Sequence, residues 1–271
     1  MKFIYYNIIV IVFSFFPFFI FSQETTSNIQ SNYGYDLPNY EKYMPTSSCG
    51  EIIHYSYFSF SFCEQHKLSE WGIYYMTSER LKGNWLRTND FRIDPRLKKK
   101  SAGKDFYYFS GYDRGHIIPA KHMTFDSSAL SESFYYTNMA PQGPAFNRVF
   151  NRQLVNKFSD WVTKFDTVAI ISGWIKKNIS EHIKKDKTLF RGKDSIPIAN
   201  YHFKVLVDIP NKRSLAFLMP QFEVFTGSIF DYAISIAELE EKTGLDFFYK
   251  LDVFDETMLE MNTNIETIIK E

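Results

Sequence analysis

The stretch SGYDRGHIIPA, residues 110–120, sets an acid, an arginine, a glycine and a histidine in four consecutive positions, Asp113 to His116. Arginine is a fixed cation, and a neutral imidazole is a competent proton acceptor near pH 7. A glycine between them lets the backbone turn tightly enough to hold Arg114 and His116 near one place. Asp113 is read as a structural partner of this segment rather than as a second base. Taken alone, the tetrapeptide also fits a hydrogen-bonded structural histidine, so its surroundings decide.

Downstream, SESFYYTNMAPQ (131–142) leads into FNRQLVNKFSDWVTKF (150–165), where Phe150, Leu154, Phe158 and Trp161 recur at helical spacing. That stripe predicts a helix with one buried face. Upstream, EIIHYSYFSFSF (51–62) alternates and is rich in aromatics, which reads as a strand, and WGIYYMTSERL (71–81) reads as a second strand and a turn. Residues 83–109 are polar and basic, a loop region. DTVAIISGWI (166–175), YHFKVLVDIP (201–210) and RSLAFLMPQ (213–221) are strands, and PNKR between the last two marks an antiparallel hairpin. SIAELEEKTGLDFFYKL (235–251) predicts a late helix ending near Gly244. The sum is one mixed α+β domain with a large, mainly antiparallel sheet. The aromatic stripes are core and carry no cofactor signal.

The chain has 271 residues, 45% hydrophobic and 23% charged, which suits a globular protein with a sizeable core. Its formal net charge of +0 excludes a global basic field. Attraction to phosphate must then come from local runs: Arg96 with Lys98, Lys99 and Lys100, Lys176 with Lys177, Lys184 with Lys185. Each also fits a solvated charged face. Lys2 precedes an apolar run over residues 3–22, read as a secretory signal peptide cleaved after Ser22. The run is long enough to span a bilayer, so an uncleaved anchor stays open. Residues 23–45 read as a polar linker, and export, secreted or periplasmic, is expected. Cys49 and Cys63 would then meet an oxidising compartment. The segment between them reads as an extended strand, so a bridge requires Cys49 to fold back, and pairing is left open. His54, His66, His122, His182 and His202 have no ligand-like grouping in sequence, so zinc is not expected.

DRGHIIPA, then SESFYYTNMAPQ, then FNR opening a helix, resemble the DNA/RNA non-specific endonucleases, the ββα-metal nucleases that include endonuclease G. ELEEKTGLDFF (238–248) is similar to that family's C-terminal segment, and EIIHYSYFSFSF with EWGIYY to its opening hairpin. The resemblance runs from about residue 50 to 252 and places an endonuclease domain over residues 46–271. It implies an α+β His-Me finger fold, a large, mainly antiparallel central sheet flanked by helices. It also implies a Mg²⁺-dependent endonuclease, with Mn²⁺ as the alternative ion, that cuts DNA and RNA without sugar preference to 5′-phosphate and 3′-hydroxyl ends. A homodimer is left open.

The same resemblance assigns residues. His116 matches the general base that takes a proton from water, and Arg114 the group that binds substrate or stabilises charge. Asn147 matches the metal ligand; a single neutral amide with water in the other positions suits hard Mg²⁺. Taken alone, Asn147 reads as a helix cap. Asn138 and Gln142 match positions around the metal site, and also fit simple turn residues. Arg87 in WLRTNDFRIDP (85–95) matches an upstream phosphate-contacting arginine, with Arg92 competing for that role. The chain departs from the pattern beyond Asn147. A Gly, a Trp and a Glu that orients water at the metal are replaced by Val149, Asn151 and Val155. Two further readings therefore stand beside an active enzyme: a catalytically weakened or silent relative that binds nucleic acid, and an aromatic-rich interaction domain.

Overall fold

In the computed structural model, which describes residues 40–97, 101–176, 187–191, 193–223 and 225–261, the segment 51–62 is two strands and not one. β1 (Glu51–His54) and β2 (Phe58–Cys63) form an antiparallel hairpin, closed where Tyr55 N–H donates to the Phe58 carbonyl at 2.8 Å. No glycine or proline marks that reversal. It returns Cys49 to Cys63, and the two are bridged with Cα atoms 5.3 Å apart. The distance objection fails because the intervening chain turns inside itself.

β3 (Leu68–Thr77) follows, and a separate finger hairpin pairs β4 (Asp113–His116) with β5 (Met139–Gln142). The long strands β6 (Thr167–Ile175), β9 (Tyr201–Asp208) and β10 (Arg213–Pro220) complete the main sheet with β11 (Ala233–Ile234). A small hairpin of β7 (Thr188–Arg191) and β8 (Asp194–Pro197) stands apart. The seven-stranded order is β1-β2-β3-β6-β9-β10-β11, antiparallel throughout. PNKR does turn β9 into β10, with Asp208 opposite Arg213.

Among the described residues five α-helices accompany the strands: α1 (Lys104–Tyr107), α2 (Ser127–Glu132), α3 (Arg152–Phe165), α4 (Ile236–Thr243) and α5 (Val253–Met261). α3 lays Leu154, Phe158 and Trp161 against one sheet face, with Phe217 of β10 in the same core. α4 and α5 cover the other face, where Leu239 and Leu259 join Trp71, Phe203 and Phe247. Every residue of β9 is buried because both faces are covered. Full burial of each such aromatic contributes about 1.5–3 kcal/mol. Gly244 ends α4 in the left-handed conformation at φ 72°, the backbone the sequence required there. Tyr43 and Met44, in a stretch that reads as polar linker, are buried in the second core.

The expected signal peptide over residues 1–22 and most of the expected linker lie outside the described residues. So do Lys98–Lys100, Lys177, Lys184 and Lys185. Among the described residues, no helix is long and apolar enough to cross a membrane.

Two buried histidines, His122 and His202, and the half-buried His116 give the fold a pH dependence. Burial pushes His116 and His122 down to about 3 and His202 to about 4, from an ordinary 6.5. His122 is enclosed by Tyr74 Oη at 2.7 Å and Ser159 Oγ at 3.0 Å, and His202 by Gln221 Oε1 at 2.7 Å. Between those values the unfolded chain binds more protons than the folded one. Their contribution is complete above about pH 6.5 and is lost as pH falls toward 4. Lys204, buried and lowered to about 7, makes stability rise with pH above neutrality as well. Melting temperature measured from pH 9 to 4 should therefore fall monotonically. A plateau that persists below pH 5 would contradict this.

Candidate functional site

The finger hairpin sets Asp113 opposite Gln142 and His116 opposite Met139. A π-helical turn over Phe146–Asn151 then runs into α3, so two strands and a helix start meet at one cleft. Asp113 ties them together. Its Oδ2 accepts from Asn147 Nδ2 at 3.0 Å and Arg148 Nε at 2.8 Å, and its Oδ1 from Arg148 Nη2 at 2.6 Å. The Arg148 guanidinium holds this carboxyl below its usual range. Asn147 caps nothing with its side chain. With Nδ2 directed to Asp113, the amide is oriented and Oδ1 is left for a cation, a donor set that fits a largely hydrated Mg²⁺.

The cleft is about 520 Å³ and carries three cations, Arg87, Lys104 and Arg114, above an aromatic wall that includes Phe91, Tyr108 and Phe109. The Arg114 guanidinium lies 3.8 Å from the Phe91 ring centre, and that of Arg87 4.9 Å from Phe134. Arg92 does not reach the cleft. Its guanidinium is fixed by Asp90 and Ser131 and stacks 4.1 Å from Tyr135. Of the two arginines, Arg87 lines the cleft and Arg92 does not.

His116 is held edge-on by Phe91 and Phe134, at ring distances of 5.7 and 5.2 Å. Burial, then Arg87 and Arg114, lower its affinity for a proton, while a hydrogen bond with the Arg114 backbone works the other way. The ring is neutral at physiological pH. Its Nε2 is buried without a partner among the described residues. It borders a small polar cavity of about 10 Å³ shared with Gln142, Asn151 and Lys204, room for about one water. Asn151 donates to Gln142 Oε1 at 3.4 Å, and its own Oδ1 is also unpartnered.

Several expectations need correction. Gly115 makes no tight turn; it lies in an extended strand, and a Cβ there would come 2.1 Å from Gln142 Cδ. Close packing of Gln142 is what requires the glycine. Asn138 is fully buried and faces backbone. Its Oδ1 accepts from Ile118 N at 2.7 Å, and its Nδ2 donates to the Ile118 and Ser133 carbonyls. It clamps the chain leaving His116 and does not line the cleft. Val155 is 8% exposed, part of the core beneath the helix start. Arg96 is occupied by the His54 carbonyl and Glu132. His66, which had no ligand-like neighbours in sequence, lies against Cys49.

Sequence reading missed Phe91, Lys104 and the Tyr108–Phe109 rim, because a loop of mixed polarity gives no periodic signal, and it passed over Phe134 inside SESFYYTNMAPQ. Lys204 did leave one: a lysine inside the apolar strand YHFKVLVD. Its Nζ donates to Ser172 Oγ at 3.0 Å.

The family described as DNA/RNA non-specific endonuclease matches residues 36–254. The chain is 29% identical over 198 residues to "Nuclease EXOG, mitochondrial" of Danio rerio, covering 69% of this chain and 58% of that protein. It is 27% identical over 268 residues to "Mitochondrial nuclease" of Saccharomyces cerevisiae, covering 92% and 82%. Nuclease C1 of Cunninghamella echinulata is 28% identical over 212 residues, covering 71% and 81%. The match thus spans little more than half of the EXOG relative and most of the other two. In a solved structure titled as the EndoG/EndoGI complex and the mechanism of EndoG inhibition, one chain shares the fold. Its TM-score is 0.70 and its identity 22%, over 78% of this chain and 90% of that one. The expectation of export is corrected by the relatives, since those from Danio rerio, Saccharomyces cerevisiae, Homo sapiens and Schizosaccharomyces pombe are named as mitochondrial. With the match continuous over residues 36–254 and the strand–strand–helix finger in place, the chain belongs to the DNA/RNA non-specific endonuclease family.

Proposed function

We propose that this protein is a metal-dependent endonuclease that hydrolyses phosphodiester bonds of DNA and RNA without sugar preference, leaving 5′-phosphate and 3′-hydroxyl ends. The observation that carries the reading is the cleft lined by Arg87, Arg114 and an oriented Asn147 amide, with the neutral, half-buried His116 near enough behind it to feel both arginines. A phosphate seated between the two arginines offsets their share of the lowering of His116, which is second to that of burial. The ring then becomes a stronger base as substrate arrives, and accepts the proton of the attacking water. Arg114 neutralises charge on the phosphoryl oxygens. Mg²⁺, with Mn²⁺ as the alternative, would be held by Asn147 and supplies further neutralisation at the phosphoryl and leaving oxygens. Tyr108, 57% exposed, and Phe109, 91% exposed, offer ring faces to bases of any identity, which suits binding without sequence choice. The relatives' names support a mitochondrial place of action.

Val155, buried where the resemblance expects a carboxylate, favours a second reading: a relative that binds nucleic acid and cuts weakly or not at all. Plasmid nicking against Mg²⁺ concentration, with EDTA as the blank, separates the two. Wild type should nick only with metal, and Asn147→Ala should need about 10-fold or more Mg²⁺ for the same rate. Nicking in EDTA, or an unchanged requirement in the variant, overturns the assignment of Asn147. A gel shift in EDTA without nicking in Mg²⁺ would establish the second reading.

A further inference from the structure

Away from the cleft, three side chains with metal-ligating chemistry meet at the end of the β2–β3 hairpin, with a fourth, Glu70, beside one of them. Cys49 and Cys63 are bridged. His66, in the turn after Cys63, brings Nδ1 to 3.9 Å from Cys49 Sγ. Glu70 brings Oε1 to 3.5 Å from the same sulfur. The ligand atoms of Cys49, Cys63 and His66 all lie within 4.8 Å of one another.

Glu70 points here because β3 holds one extra residue. Ser61 pairs with Trp71 and Phe62 with Ser69, so Glu70 has no partner of its own across the ladder. Such a bulge re-aims a side chain. Its carboxylate is then fixed by Gly50 N at 3.0 Å, Ser61 Oγ at 2.8 Å and Cys49 N at 3.2 Å. The His66 ring lies 5.7 Å from that of Trp174, and burial followed by Lys176 lowers its affinity for a proton. A neutral ring keeps a lone pair for a metal.

The Cys49 and Gly50 amides account for the carboxylate, but a disulfide sulfur carries no hydrogen, so the bridge itself gives no reason for an imidazole nitrogen to approach it as well. A tetrahedral Zn²⁺ ion does. With Zn–S about 2.3 Å and Zn–N or Zn–O about 2.0–2.1 Å, the sulfur-to-nitrogen and sulfur-to-oxygen edges of the tetrahedron are about 3.5 Å. The observed edges of 3.9 and 3.5 Å are close to that figure.

We propose that reduction of the Cys49–Cys63 disulfide turns this cluster into a tetrahedral site for a thiolate-seeking divalent cation, Zn²⁺ by chemistry. Its ligands are Cys49 Sγ, Cys63 Sγ and His66 Nδ1, and Glu70 Oε1, 3.5 Å from Cys49 Sγ, completes the tetrahedron as Cys49 moves. A dithiol reductant supplies two electrons and two protons and closes to its own disulfide. The two protein thiols release both protons to solvent when the cation binds. The two sulfurs then need only separate to about 3.8 Å. Cys49 is exposed on a bend outside the strands and can move, while Cys63 stays in β2. The ion does for the reduced chain what the bridge does for the oxidised one, tying the Cys49 segment to the sheet. This inference does not rest on nuclease activity.

The test uses the full chain, reduced with a dithiol, freed of it without oxygen, and titrated with Co²⁺ alone. The chain has two cysteines, so a sulfur-to-cobalt charge-transfer band reports this cluster and not the cleft. The band should saturate at one Co²⁺ per chain, be absent from oxidised protein and vanish when Zn²⁺ is added. His66→Ala and Glu70→Gln keep the disulfide for folding, and after reduction each should bind at least about 10-fold more weakly. Zn²⁺ should raise the melting temperature of reduced wild type and not that of reduced His66→Ala. No band in reduced wild type, or equal affinity in His66→Ala, overturns the site.

Discussion

His116→Ala is expected to lower phosphodiester cleavage by about 10²–10⁴-fold, the usual effect of removing a general base. The fold should survive. The ring makes edge contacts with Phe91 and Phe134, and its Nε2 has no partner whose loss would strand another group. Binding of a DNA duplex in EDTA should be nearly unchanged, because Arg87, Lys104 and Arg114 remain in the cleft. Wild-type kcat/KM supplies the matching pH signature. The ring must be neutral to act, so the rate rises with pH through its pKa. With that value pushed down to about 3 in the free protein, the acid limb should lie well below the ordinary 6.5. A variant that turns over within a few-fold of wild type, or an acid limb at 6.5, would remove His116 from this role.

The frame of this protein is legible where physical chemistry repeats. β9 and β10 are apolar throughout and joined by PNKR, and α3 announces itself by an apolar residue every three or four positions. The finger was legible as a motif, since Asp113, His116 and Asn147 lie within 35 residues of one another along the chain. The illegible parts depend on contacts distant in sequence. Nothing in Tyr55–Tyr57 signals a reversal, yet that reversal decides whether two cysteines meet. Arg87 and Arg92 look alike until Asp90 and Ser131 are seen holding the second. Gly115 reads as a turn residue, and only the packing of Gln142 across the hairpin shows that it is a space-maker. The grouping of Cys49, His66 and Glu70 needs a hairpin, a turn and a bulge at once, none of them a local pattern.

Val155→Glu is expected to destabilise the fold by about 3–5 kcal/mol, the cost of an uncompensated charge in a packed interior. For a chain of this size that is a fall in melting temperature of roughly 6–20 °C. The resemblance places a carboxylate here, which invites restoration of a lost function, but the local structure opposes it. Asn151 and Val155 are four residues apart and share a helix face, and Asn151 already borders the cavity beneath His116. Val155 therefore lies one turn deeper and is 8% exposed. Its carbonyl accepts from Ser159 Oγ at 3.0 Å, and Ser159 in turn meets the buried His122. Of the nearby cations, Lys121 is taken up by Asn156 at 2.9 Å, and Lys204 by Ser172 at 3.0 Å. A new carboxylate would thus be buried beside a neutral histidine, compensated only if Lys121 or Lys204 left its neutral partner to meet it. Val155→Ile, which changes volume and no charge, should stay within about 1.5 kcal/mol of wild type. Melting curves of both variants, with nicking followed over Mg²⁺ concentration, decide the point. If Val155→Glu melts like wild type and nicks at lower Mg²⁺, the side chain reaches the cleft. The π turn at Phe146–Asn151 would then turn α3 to present position 155 to substrate, with its valine the reason for weak metal binding.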